Sequence, residues 1–148
     1  MIENPIVTET FAFKQSGDLD PALTDPATGK LSAGKLIGRW VNTNPGTQGI
    51  AEILIEQNGE RLAVDVLGVG PDGPIHWPTA SAEMLANLEE EAGQRAVALA
   101  ATFDLGFMRA ETYLRVNKGV LVIVLFVTFR DNSGRSDYLN REFFYRRD

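Results

Sequence analysis

The chain of 148 residues contains a single histidine, His76, within Ile75-His76-Trp77-Pro78. Imidazole titrates near neutrality, so a histidine beside a cavity can take up and return a proton. Gly68, Gly70, Pro71, Gly73 and Pro74 precede it and mark a loop. There His76 is either a general base or a hydrogen-bonded surface group. The other candidates for proton transfer lie on 107–116. Arg109, Glu111, Tyr113 and Arg115 alternate there with Met108, Ala110, Thr112, Leu114 and Val116. With the charged set turned inward, Glu111 and Tyr113 would work beside His76 as catalytic groups. With it turned outward, the apolar set packs and the charges are solvated.

Other chemistry is excluded more firmly. The chain has no cysteine, so thiol and disulfide chemistry are absent and zinc would have only His76 and carboxylates. Asp18, Asp20 and Asp25 do not have the spacing of a calcium loop and lack its closing glutamate. Gly68-Val69-Gly70-Pro71-Asp72-Gly73 lacks the lysine and following helix of a phosphate cradle. No Ser-His-Asp signature is present. The expectation is no metal and no cofactor. The net charge of −6 disfavours nucleic acid. The first residues have neither the basic nor the apolar region of a secretory leader, which makes the cytoplasm the expected location.

The elements that must position these groups are strands. Residues 120–129 are apolar except for Thr128 and rich in β-branched and aromatic side chains. The run is far shorter than the ~20 residues of a membrane helix, so no membrane partner is expected. The stretch 119–130 reads as a wall strand buried on both faces, paired with 107–116 and 138–146. Further strands are expected over 36–42, 50–56, 61–69 and 94–105, with a turn at Asn44–Gly46 and a hairpin at Asn58-Gly59. Residues 81–92 read as the one short helix, rich in Ala, Met, Leu and Glu, with Ser81 as cap and Gly93 as stop. His76, Trp77 and part of that helix would form a lid. Residues 1–35 form an irregular N-terminal arm, with a short strand over 6–13 followed by glycine and proline turns. Residues 36–148 form the body. Short connections make antiparallel neighbours, and closure removes sheet edges. The expected fold is all-β: an antiparallel up-and-down β-barrel of about eight strands, one short helix and the arm.

Gly38-Arg39-Trp40-Val41-Asn42 on the first body strand resembles the G-x-W of the calycin superfamily, the lipocalins and avidin-like barrels. Ser136-Asp137-Tyr138 is similar to the lipocalin T-D-Y. The resemblance implies that Trp40 closes one end of the barrel and that an arginine near the last strand crosses it. Arg141, Arg146 and Arg147 are the candidates. Gly38 would let the Trp40 ring lie over the backbone.

The function expected of such a barrel is to hold a small, largely apolar molecule. Trp40, Asn42, Trp77, Phe103 and Arg141 would meet it. Ala96, Ala98, Ala100 and Ala101 leave room inside unless Leu99 and Phe103 fill it. One alternative is a cofactor-independent cyclase or isomerase that folds an apolar substrate in the cavity. Another is an assembly module with a solid barrel. Residues 120–129 are apolar on both faces, so their outer row needs a cover. Either residues 6–13 or, as the favoured expectation, a second copy in a homodimer supplies it.

Overall fold

The computed structural model describes residues 33–86 and 98–148. Nine strands run in chain order: β1 (Gly38–Asn42), β2 (Ile50–Asn58), β3 (Arg61–Gly70), β4 (Gly73–His76), β5 (Ala80–Leu85), β6 (Ala98–Asp104), β7 (Met108–Asn117), β8 (Val120–Phe129) and β9 (Tyr138–Arg147). All pairings are antiparallel, and eight of the strands close on themselves through β2–β3 and β9–β1. Strand β4 pairs only with the end of β3 and stands outside this circle. The fold is therefore the expected up-and-down barrel.

β8 lies between β7 and β9 in continuous register, from Asn117↔Val120 to Met108↔Phe129 on one side and from Val120↔Tyr145 to Val127↔Tyr138 on the other. The β7–β8 hairpin turns on Lys118 and Gly119, both at positive φ (52° and 80°), the conformation that matches the strand twist in a two-residue loop. Leu121, Ile123, Leu125 and Val127 point inward and are fully buried. Met108, Ala110, Thr112 and Leu114 do the same on β7, so its charged set faces out. On β6, Leu99, Ala101 and Phe103 face in, which leaves Ala98 and Ala100 on the outer side. Leu99 and Phe103 thus fill the space that small residues would have left. An eight-stranded barrel is just wide enough for its side chains to fill. Trp40, Phe103, Phe144, Ile53, Leu114 and Ile123 do so, each less than 2% exposed.

The helix expected over 81–92 is not found where the chain is described. Residues 80–85 are strand β5, paired with β3 through Leu62↔Ala82 and with β6 through Met84↔Leu99. Ala80, Ala82 and Met84 turn inward at strand spacing. Two waiting ladders outweigh a helix propensity of a few tenths of a kcal/mol per residue. The remainder of that helix, residues 87–92, lies outside the described residues. So do residues 94–97 of the next strand, the expected strand over 6–13, the rest of the arm to residue 32, and Asp18, Asp20 and Asp25. Ala33 and Leu36, just ahead of β1, are buried in the core.

Candidate functional site

One end of the barrel is closed by Trp40. Its indole Nε1 donates to the Leu36 carbonyl at 3.0 Å. The Arg146 guanidinium lies 4.5 Å above the ring centroid and donates to the carbonyls of Lys35 (2.6 Å) and Ile37. Of the three candidate arginines, Arg146 crosses the ring. A Cβ at Gly38 would collide with that guanidinium, not with the indole. The bare backbone at 38 therefore makes room for the arginine, where the sequence suggested room for the ring.

Among the described residues the opposite end is open. A cup of about 240 Å³ is bordered there by the starts of β2, β7 and β9 and by the ends of β3, β6 and β8. Its apolar wall includes Ile50, Trp77, Phe107, Met108, Leu125 and Phe129, and its polar groups include Gln48, Arg135, Tyr138, Asn140 and Glu142. Glu142 is the buried charge of this end, only 8% exposed. Its Oε1 accepts from Asn42 Nδ2 (2.8 Å) and Thr47 Oγ1 (2.6 Å), and its Oε2 accepts from the Ile50 amide (3.1 Å).

Local sequence explains how these donors arrive. The β2–β3 register shifts between Ile50 and Glu52. The extra residue puts Ile50 and Ile53, three apart, both on the buried side and breaks the ladder at the Ile50 amide. That amide goes to Glu142 instead. Gly49 makes the close approach possible, since a Cβ there would stand 2.5 Å from Glu142 Oε2. Asn42 follows Trp40 by two residues and so shares its inward face. Its amide also donates to the Ile50 carbonyl (2.8 Å), and its Oδ1 accepts from the Asn44 amide (2.8 Å). Asn42 thus ties the β1–β2 loop to the carboxylate.

The rim is aromatic. Trp77 follows β4, donates its amide to the Val66 carbonyl (2.9 Å) and meets Phe103 edge-to-face at 5.2 Å between centroids. A Cβ at Gly68 would lie 2.7 Å from Trp77 Nε1, so this glycine gives the indole its place. Arg135 stacks over Phe129 at 4.1 Å and reaches Phe107 at 5.7 Å. It is also paired with Asp131 at 2.6 Å. Hydrogen bonds from Ser133 foremost, and then from Arg135, hold the Asp131 carboxyl at about 2. Burial, reinforced by the negative Glu142, pushes the Tyr138 hydroxyl above its usual range, with Arg135 opposing.

The residues first considered for the site are scattered. Trp77 lines the cup and Asn42 supports Glu142. Trp40 is at the closed end, and Phe103 is buried beneath Trp77. Arg141 faces outward, 5.4 Å over the Phe143 ring. Glu111 and Tyr113 lie on the outer face of β7, where Glu111 pairs with Arg109 at 3.6 Å. His76 is exposed on β4 and borders an outer groove with Arg39, Glu52 and Asp65. Of the helical part expected in the lid, 81–85 belongs to the barrel wall and 87–92 lies outside the described residues. Sequence reasoning did not single out Glu142. The available signal was the face Tyr138, Asn140, Glu142, Phe144, in which polar and apolar residues share alternate positions. Among the described residues, no group of three or more histidine and acidic side chains converges on a metal position, and no helix is long and apolar enough to cross a membrane.

Set against family models, curated proteins and solved structures, the chain matches none of them.

Proposed function

We propose that the protein binds a small molecule with an apolar body at the open mouth of its barrel. The observation that carries this reading is the cup itself: apolar and aromatic walls around one buried, oriented carboxylate, Glu142. Ligand sites commonly combine a largely apolar wall with a few placed polar groups. At about 240 Å³ the cup is smaller than the ~300–1,000 Å³ of drug-sized pockets. A small ligand, or one end of a longer one, fits that size. The packed interior beneath it moves the binding position from the barrel's centre to its mouth. Kinship with calycin barrels is part of the proposal, supported by Trp40 under Arg146 at the closed end. The cyclase or isomerase alternative gains nothing from His76, Glu111 and Tyr113, all of which lie on the outer surface. The test is an amide-resolved NMR titration with 2-phenylethanol as the probe. Saturable shifts at Ile50, Gly68, Leu125 and Asn140 are expected. Shifts confined to the outer face, or none up to the solubility limit, reject the reading.

A second reading, assembly through a second copy, is favoured by the outer face of β8 and β9. Phe126, Leu139 and Phe143 are 45%, 62% and 40% exposed. They lie side by side in the register pairs Val122↔Phe143 and Phe126↔Leu139. Arg141, Glu111 and Arg109 border them, so a two-fold partner could meet apolar with apolar and charge with charge.

A further inference from the structure

We propose that the mouth of the barrel selects an organic amine, whose ammonium meets Glu142 while its apolar body lies against Trp77, Phe107 and Phe129. This rests on the reading that the cup binds a small molecule. The argument starts from the partners of the carboxylate. The three donors to Glu142 among the described residues are neutral: a side-chain amide, a hydroxyl and a backbone N–H. The ion pairs seen among the described residues leave it out. A carboxylate offers about four acceptor positions. Oε1 uses two and Oε2 one, so one position on Oε2 is left to a fourth donor. A charge withdrawn from water is best compensated by an opposite charge. A ligand ammonium supplies that charge and a donor together, without disturbing the three bonds already made.

The walls agree. Aromatic faces attract cations, and the rim already holds one, the Arg135 guanidinium 4.1 Å over Phe129. An anionic ligand is disfavoured on both counts. It would share the cup with Glu142, and the charge of Arg135 is already paired with Asp131 at 2.6 Å. A neutral alcohol could donate to Oε2 but leaves the buried charge uncompensated.

The experiment compares 2-phenylethylamine, charged at neutral pH, with 2-phenylethanol, its neutral isostere, by calorimetry on the full chain. The amine is expected to bind at least roughly tenfold more tightly, because only it sets an opposite charge against the buried carboxylate. Glu142→Gln should reduce that ratio to near one. The wild-type comparison needs no variant, so a misfolded Glu142→Gln leaves the proposal testable. Equal affinities for the two probes overturn the amine inference and leave the cup reading standing. Tenfold selectivity retained in folded Glu142→Gln also overturns it. Binding of neither probe rejects both.

Discussion

Glu142 has a structural consequence whatever it binds. Its carboxylate satisfies Asn42, Thr47 and the Ile50 amide at once, and all three bonds are at buried or part-buried positions a water cannot easily serve. Removing a partner from a buried donor costs about 1–3 kcal/mol for each group stranded. Glu142→Ala should therefore destabilise the fold by about 2–4 kcal/mol in urea unfolding, with relaxation of the β1–β2 loop sparing the full sum. A loss under about 0.5 kcal/mol would show the network to be incidental. Tyr138 gives a pH signature at the same scale. Its hydroxyl titrates above its usual value of about 10 because burial and Glu142 both disfavour the phenolate. The folded state then holds this proton more tightly than the unfolded chain does. The stabilisation is fully present below pH ~10 and is lost as pH rises through the raised value. Absorbance titration at high pH should resolve one tyrosine titrating later than the others, and Tyr138→Phe should abolish that phase.

At the scale of elements, the site depends on two departures from regular strand pairing. The bulge in β2 frees the Ile50 amide for Glu142. The break between β4 and β5 seats Trp77 over Gly68. Of the two, the second is easier to perturb. A methyl group at Gly68 would meet Trp77 Nε1 at 2.7 Å, and in a packed core such an insertion costs roughly 1–3 kcal/mol. Gly68→Ala should swing the indole off Phe103 and reshape the cup without opening the barrel. The check is a red-shifted Trp77 emission, read in a Trp40→Phe background, with unchanged far-UV circular dichroism. An unshifted emission maximum would mean that the ring is not held by Gly68.

For the whole molecule, the decisive feature is that β8 is apolar on both faces. Leu121, Ile123, Leu125 and Val127 fill the barrel. Val120, Val122, Val124 and Phe126 join Leu139, Phe143 and Tyr145 of β9 on the outside through the register pairs. With a second copy as cover, the full chain should sediment as a dimer at micromolar concentration. Phe126→Lys with Phe143→Glu should then give a folded monomer. A wild-type chain that stays monomeric at high concentration, alongside a version lacking residues 1–30 that aggregates, would assign the cover to the arm instead.

Much of the barrel was legible from the residues alone. The β-branched and aromatic run over 120–129 marks a buried wall strand, and the short connections on either side make its neighbours antiparallel. Alternation along 107–116 offered two orientations. The half-buried rule favoured the observed one, since turning Arg109 and Arg115 inward would bury charge without partners. The Gly38-Arg39-Trp40 stretch pointed to a closed end with an arginine, though not to which arginine. Tertiary structure decided the rest, and each case has one physical cause: a non-local partner. Residues 80–85 have helix-forming composition, but the ladders of β3 and β6 claim them. The bulge in β2 exists because Ile50 and Ile53 both reach the core, a fact visible only once the inside is known. Strand β9 has mixed residues on both faces, so no local rule selects its inner side. The inward position of Phe144, paired with Leu121 across the ladder, carries Glu142 inward with it. Glu142 is then bonded to residues 92, 95 and 100 positions away in sequence, a separation at which spacing carries no signal.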